Sequence, residues 1–211
     1  MDKTKIAVEV FNKLAKEYQD KYMDVSLYAD TFDFFCNNIK KKNAEVLELG
    51  CGPGNITKYL LKKRPDLKIL GVDLSLNMIR LAKNNNPDAE FQLMDCKNIG
   101  MIKKKYDAIM CGFCLPYLSK KEAIQLINDA SKLLGSKSIL YLSTIEDDYS
   151  KSGFMKGSAG DEIYMHYHQA DYLTDALTEN QFKILNIERK VSLLQGGTKV
   201  TDLIIIAENK K

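Results

Sequence analysis

The chain contains no apolar run able to cross a membrane: its strongest one near the end, Leu203-Ile-Ile-Ile-Ala207, is five residues long, whereas a helical span requires about 20. The amino-terminal stretch Met-Asp-Lys-Thr-Lys-Ile-Ala-Val-Glu also lacks an apolar signal core. The expected location is therefore cytoplasmic, with no membrane partner. A disulfide framework is missing as well. Cys36, Cys51, Cys96, Cys111 and Cys114 form an odd set scattered over strands and turns, which suits reduced thiols. Cys111-Gly-Phe-Cys114 has C-x-x-C spacing, but a zinc site needs a second such pair, and a thioredoxin motif opens a helix near the start of its fold. No metal is expected. No repeat, linker or low-complexity tract divides the 211 residues, so one domain is expected over 1–211, with a substantial core and no separate large substrate domain.

Strong charge imbalance is absent too. The net charge is +3, and the lysines gather at Lys40 to Lys42, Lys62 to Arg64 and Lys103 to Lys105. The first and third clusters immediately precede apolar runs, and the second ends a helical stretch, where cations oppose the helix dipole favourably. All three fall at the amino-terminal edge of the expected sheet, and ligands of open α/β sheets bind at the opposite edge. A solvated face is expected, not a nucleic-acid track.

What the chain does have is Val46-Leu-Glu-Leu-Gly-Cys-Gly-Pro-Gly54, an apolar strand that runs into three alternating glycines and then a helix. Gly50 and Gly52 let the backbone turn and approach a ligand closely, while the amides that open the next helix can meet an anion. Asp73 ends the next apolar run, and Asp95 ends the one after. A dinucleotide-binding turn, G-x-G-x-x-G, would need a third small residue at position 55; here that position is Asn55 and the glycine is Gly54.

From Val46 to about Ala207 the sequence resembles the class I S-adenosylmethionine-dependent methyltransferases, specifically the small single-domain group that acts mostly on small molecules. The resemblance rests on Glu48, Gly50, Gly52 and Gly54, on an acid after the second strand and another after the third, and on an aromatic-rich loop after the fourth. It implies an α/β fold: a Rossmann-like, seven-stranded, mostly parallel sheet with helices on both faces, an antiparallel last strand and a two-helix amino-terminal lid over 1–42. The core then covers 43–211. Strands are expected at Glu45 to Leu49, Lys68 to Val72, Glu90 to Met94, Tyr106 to Cys111 and about Ser138 to Ser143, alternating with helices and so parallel with right-handed crossovers. Ser119-Lys-Lys-Glu122 reads as a capping box. The polar tract from about 145 to 170 reads as an active-site insertion. A short helix near Asp171 to Glu179 and strands Phe182 to Val191 and Val200 to Ala207 follow, the last two joined by a Gln195-Gly-Gly-Thr198 turn. Ahead of all these, Ile6, Val10, Leu14 and Tyr18 recur at helical spacing, and a second amphipathic stretch from about Ser26 to Lys40 carries Phe32, Phe35 and Ile39.

The resemblance also implies roles. Asp73 would accept from both ribose hydroxyls of S-adenosylmethionine, since one carboxylate presents about four lone-pair sites. Leu74 and Met78 would flank the adenine, Asp95 and the Cys96 amide would take its polar edge, and the Gly50 to Gly54 turn would face the methionine end with Glu48 in support. Tyr18 from the lid, Cys51 in the turn, and Cys111 and Phe113 after strand four complete the expected cofactor contacts. The acceptor is expected between Tyr22, Tyr28, Tyr117 and His166. His168 is the candidate general base, because Tyr164-Met-His166-Tyr-His168 holds the only two histidines and an extended segment would put both on one face. Alignment and desolvation can carry much of a sulfonium displacement without a base. The strand-four loop, Cys111-Gly-Phe-Cys-Leu-Pro-Tyr117, lacks the Asn/Asp-Pro-Pro-Tyr motif of enzymes that methylate planar amide or exocyclic nitrogens. The expected partner is a small-molecule acceptor and not nucleic acid, on a monomer or homodimer. An RNA or protein methyltransferase, or a non-catalytic cofactor-binding protein, remains the alternative.

Overall fold

Runs of aliphatic residues that bury both faces build the centre of a sheet in this computed structural model, which describes residues 2–157, 160–193 and 199–211. The strands are β1 (Glu45–Leu49), β2 (Lys68–Asp73), β3 (Glu90–Leu93), β4 (Tyr106–Cys111), β5 (Leu134–Ile145), a separate hairpin of β6 (Gly153–Lys156) and β7 (Glu162–Met165), then β8 (Phe182–Leu193) and β9 (Lys199–Asn209). The main sheet has the order β3-β2-β1-β4-β5-β9-β8. Strands β1 to β5 pair in parallel, and β9 lies antiparallel between β5 and β8. The inserted antiparallel strand expected from the sequence is present; the turn expected at 195–198 lies outside the described residues.

The helices are α1 (Lys3–Lys13), α2 (Ala15–Tyr22), α3 (Ala29–Asn38), α4 (Asn55–Lys63), α5 (Leu76–Asn85), α6 (Lys120–Leu133) and α7 (Ala170–Glu179). On one face of the sheet, Phe32 and Phe35 of α3 and Ile56 and Leu60 of α4 pack on Val46, Met110, Tyr141 and Ile206. On the other, Leu126 and Ile127 of α6 and Leu173 and Leu177 of α7 pack on Leu47, Ile109, Leu140 and Ile205. Neighbouring residues of one strand thus serve opposite cores, the pattern of a sheet covered on both sides. Each fully buried Leu or Ile contributes about 1.5 to 3 kcal/mol. The capping box at α6 forms as read: the Ser119 side chain accepts from the Glu122 amide, and the Glu122 side chain accepts from the Ser119 amide.

Three local expectations change. The amino-terminal helical stretch breaks at Leu14, whose φ of −102° and ψ of 20° leave the helical region, so three helices precede β1 instead of two. Of these, α3 belongs to the core, with Phe32 and Phe35 buried and the Thr31 hydroxyl 3.0 Å from that of Tyr141, which leaves α1 and α2 as the cover of the carboxyl edge. Strand β5 starts earlier than expected, because Leu134 pairs with Tyr106 ahead of a register shift. The polar insertion is not a bare loop but carries the β6–β7 hairpin, tied to α1 by Lys13 to Asp161 at 2.8 Å and by Lys3 over the Tyr164 ring at 3.3 Å.

Candidate active site

The glycine-rich turn after β1 depends on backbone angles that side chains oppose. Gly52 has φ +52° and Gly54 φ +78°, and a Cβ on Gly54 would fall 2.3 Å from Asn86 Nδ2. Asn86 Nδ2 itself donates to the Gly54 carbonyl at 2.9 Å, which ties the turn to the end of α5. Asp73, at the end of β2, joins two loops: Oδ2 accepts from the Gly52 amide at 2.9 Å and Oδ1 from the Ser75 amide at 2.8 Å. Each oxygen keeps a further lone pair for a ligand. Burial raises the Asp73 carboxyl above its ordinary pKa, while the amides of Ser75, Gly52 and Leu74 act in the opposite direction.

Beneath the turn, Glu48 is buried on β1. Its Oε2 accepts from Thr57 Oγ1 at 2.5 Å, and Oε1 has no hydrogen-bond partner, the one such buried side-chain oxygen or nitrogen among the described residues. Burial pushes its pKa up to about 7, against the Thr57 contacts. At the end of β3, Asp95 Oδ1 caps the following turn through the Lys97 amide at 2.9 Å, and Lys97 Nζ lies 3.7 Å from Oδ2.

These strand ends open on one cavity with about 800 Å³ of space not filled by protein, part of it open to solvent. Gly50, Gly52, Asp73, Leu74 and Met78 line it from the first two strand ends. Asp95 and Cys96 line it from the third, and Phe113 and Tyr117 from the fourth, with Tyr18 closing the lid side. Glu48, Cys51, Gly54 and Cys111 stand behind this lining instead of in it: Cys111 belongs to the core under α6 and α7, Cys51 to a small separate cluster with Ile79, Ala82 and Phe91, and Gly54 is the backbone cap of α4.

The acceptor side differs more from expectation. Tyr22 is 42% exposed and packs on Tyr18 with the rings tilted by 44° and their centres 4.6 Å apart, outside the cavity. Tyr28 also lies outside the lining; its ring is 5.1 Å from that of Phe113, and its hydroxyl donates to Asp202 Oδ2 at 2.7 Å. Phe113 is held with φ +53° by its amide donating to Ser143 Oγ at 2.9 Å, a non-glycine residue in a strained conformation of the sort that clusters at ligand clamps.

Neither histidine reaches the cavity. His168 is 0% exposed, and its Nε2 lies 2.9 Å from the Leu115 carbonyl. A carbonyl only accepts, so Nε2 carries the proton, and Nδ1 accepts from the Tyr172 hydroxyl. With both ring nitrogens engaged and burial lowering its pKa to about 4, His168 pins α7 to the strand-four loop, and its ring lies outside the cavity lining. His166 is buried against Tyr149, with Nδ1 3.2 Å from that hydroxyl, and its amide donates to the Pro116 carbonyl at 2.7 Å. The extended segment does keep the two rings on one side, 6.4 Å apart, but that side faces the protein.

Sequence reasoning missed the face of α1. Thr4, Ala7, Val8 and Phe11 line the cavity, and their 4-7-8-11 spacing is itself a helical stripe; the larger residues Ile6, Val10 and Leu14 obscured it. Asn12 latches this helix down: its Oδ1 accepts from Ser75 Oγ at 2.8 Å and from the Asn77 amide at 3.1 Å. Phe11 then packs on Tyr18 and Tyr117, with ring centres 5.7 and 5.2 Å away, and roofs the cavity.

Comparison with known proteins agrees with this geometry. A family model described as a methyltransferase domain matches residues 46–137. The chain is similar to protein 235L of Invertebrate iridescent virus 6, named as a methyltransferase, at 31% identity over 160 residues, covering 69% of this chain and 59% of the viral one. It is 38% identical over 104 residues to the malonyl-[acyl-carrier protein] O-methyltransferase of Priestia megaterium, covering 47% of this chain and 37% of that protein. The chain therefore spans less than two thirds of the length of these curated relatives. Among solved structures, the magnesium protoporphyrin IX methyltransferase of Synechocystis PCC 6803, with bound S-adenosylmethionine, superposes with a TM-score of 0.76 at 17% identity, covering 100% of this chain and 98% of that one. At that identity the likeness is one of fold.

Proposed function

The chain belongs to the class I S-adenosylmethionine-dependent methyltransferases, and from that premise we propose that it transfers a methyl group from S-adenosylmethionine to a small-molecule acceptor. The observation that carries this reading is the convergence of the Gly50 to Gly54 turn, Asp73 and Asp95 on a single cavity from three adjacent parallel strands. The residues present fit the cofactor. Asp73 has lone pairs left for ribose hydroxyls, Leu74 and Met78 offer apolar faces to an adenine, and Asp95 with the Cys96 amide would pair with its polar edge. At Gly52 the nearest atom to an added Cβ is a Tyr18 ring carbon 3.8 Å away, so a ligand can pass close to the backbone. The unpartnered Glu48 Oε1, behind the lining, would support an ammonium group at the methionine end through water.

Bound S-adenosylmethionine supplies an electrophilic methyl on a positive sulfur. This chain's contribution is alignment and exclusion of water. Phe11, Tyr18 and Tyr117 roof the site, and burial raises the Tyr18 and Tyr117 hydroxyls far above neutrality, so they remain neutral donors. A small acceptor is further supported by the name of the solved neighbour, which acts on magnesium protoporphyrin IX, while the bacterial relative is named for a malonyl group carried on an acyl-carrier protein. The test is transfer of labelled methyl from S-adenosylmethionine into fractionated metabolite extracts, run beside RNA and protein acceptors. Labelling of macromolecules alone would overturn the small-molecule reading, and preferential binding of a nicotinamide dinucleotide would overturn the whole of it.

Two expected results follow from this reading. Glu48 binds a proton in the folded state up to about pH 7 against an ordinary value of 4.5. The stability from that proton is complete below about pH 4.5 and is lost as pH rises through about 7. An ammonium at Oε1 favours the ionised carboxylate, so S-adenosylhomocysteine should bind more tightly, and raise the melting temperature more, near pH 8 than near pH 5.5. Glu48→Gln should flatten that dependence; equal ligand-induced shifts at the two pH values in the parent protein would remove Glu48 from the ligand's charge balance.

The second concerns nucleic acid. Several of the clustered cations are already paired, Lys41 with Asp107 at 2.9 Å, Lys63 with Asp33 at 2.7 Å and Lys104 with Glu45 at 2.7 Å. RNA and DNA should therefore bind negligibly at physiological salt. A tight complex that weakens steeply with salt, and disappears when Lys40 to Lys42 and Lys103 to Lys105 are neutralised, would show that this face binds nucleic acid.

A further inference from the structure

Two cysteines from separate strand ends meet in the wall of the cavity. Cys96 follows Asp95 after β3, Cys114 lies in the loop after β4, and their sulfurs are 3.3 Å apart. Both residues line the cavity. The sequence draws attention to a different pair, Cys111 and Cys114 of the C-x-x-C spacing, but Cys111 is fully buried in the core beneath the loop. Access and contact coincide at Cys96 and Cys114.

We infer that Cys96 and Cys114 form an oxidation site inside the cavity, at which a two-electron oxidant such as a peroxide or a diazene dicarboxamide joins them in a disulfide and closes the nucleoside end to ligand. With hydrogen peroxide the balance is simple: two S–H bonds break, one S–S bond forms, and the two electrons and two protons reduce the peroxide to two waters. With the diazene reagent they reduce its N=N bond to the hydrazine. The consequence for binding rests on the cofactor reading of the cavity; the bond itself does not.

The placement explains why a bond here would matter. A Cβ on Gly50 would lie 3.3 Å from the Cys114 sulfur, so this thiol already touches the glycine turn. Cys96 follows the Asp95 cap, whose carboxylate lies within 3.7 Å of Lys97 Nζ. A covalent link draws the strand-four loop toward the end of β3 across the floor between them, where a purine has to insert. A bound nucleoside covers the same two sulfurs, so ligand and oxidant exclude one another.

Reactivity is set by the surroundings. The hydrogen bond from Cys114, then burial, raises the Cys96 thiol, and the contact with Cys111 is the leading cause that raises Cys114, so both are protonated at neutral pH. Thiolates carry the attack. Oxidation is accordingly slow near pH 7 and faster in mild alkali, and it belongs to the empty protein.

The experiment uses the reduced protein treated with diamide near pH 8, with and without S-adenosylhomocysteine, followed by alkylation of the remaining thiols and peptide mass spectrometry without reductant. The expected result is a peptide pair linked through Cys96 and Cys114, with Cys36, Cys51 and Cys111 alkylated, and a linkage that bound S-adenosylhomocysteine suppresses. Calorimetry of the oxidised protein should show S-adenosylhomocysteine affinity lower by about tenfold or more, restored by dithiothreitol. In Cys114→Ala, diamide should leave affinity equal to that of the same variant untreated. A bond between Cys111 and Cys114, no bond at all, or a Cys96 to Cys114 bond that leaves affinity unchanged would each overturn the inference. Failure of the reduced parent to bind S-adenosylhomocysteine would be a separate result, against the cofactor reading, and the mass spectrum would still decide whether the bond forms.

Discussion

Asp73→Ala should bind S-adenosylhomocysteine about 30- to 150-fold more weakly than the parent protein, a loss of about 2 to 3 kcal/mol for removing charge-assisted contacts to a pair of hydroxyls. The same carboxylate accepts from the Gly52 and Ser75 amides, at 2.9 and 2.8 Å, so the variant also loosens the glycine turn and the start of α5. Asp73→Asn separates the two effects. It retains one acceptor oxygen and an isosteric shape while losing the charge, and should fall between parent and Ala in affinity. Calorimetry on folded variants decides the matter: an unchanged affinity in Asp73→Ala would sink the ribose role.

His168→Ala should destabilise the protein by about 2 to 4 kcal/mol, because it leaves the buried Leu115 carbonyl and Tyr172 hydroxyl without their partner and opens a void. For a domain of this size that is a fall of roughly 5 to 15 °C in melting temperature. The titration of the ring adds a signature. Its folded pKa of about 4 lies below the ordinary 6.5, so the stability it contributes is present above about pH 6.5 and is lost as pH falls through about 4. The parent should therefore lose stability toward acid with a component that the variant lacks. Glu48 works in the opposite sense over a neighbouring range, its stabilisation fading as pH rises through about 7, so the two buried groups partly offset one another between them. Differential scanning calorimetry across pH reads both. A His168→Ala variant with parental stability and a selective loss of turnover would return the residue to a base role.

The succession of strands along the chain and the parallel direction of the first five were legible because they follow from local signals, while the inserted antiparallel strand came with the family resemblance. Gly52 and Gly54 occupy left-handed conformations that few other residues tolerate, with φ +52° and +78°, so the turn after β1 is written in the residues themselves. Alternating apolar runs and helical stretches demand parallel strands, and Asp73 and Asp95 stand at successive strand ends that the sheet topology brings to one edge. These are the elements of the proposed cofactor site, and ten of the residues named from sequence line one cavity.

Tertiary packing decided the rest. Whether an aromatic ring or a histidine in a polar tract turns outward or inward is set by what covers it, and the cover comes from distant sequence. His166 and His168 share a face as their spacing requires, but Tyr149, Pro116, Leu115 and Tyr172 take up that face. Tyr28 finds Asp202 across 174 positions of sequence, and Cys114 meets Cys96 across 18 positions as well as the cysteine three residues away in its own motif. Periodicity could show that the amino-terminal stretch is helical, yet not which stripe faces the ligand, because Asn12 and the start of α5 set the rotation of α1. Backbone geometry is a short-range property that residues carry with them, while side-chain direction in covering segments follows from which surfaces remain to be buried once the sheet has formed.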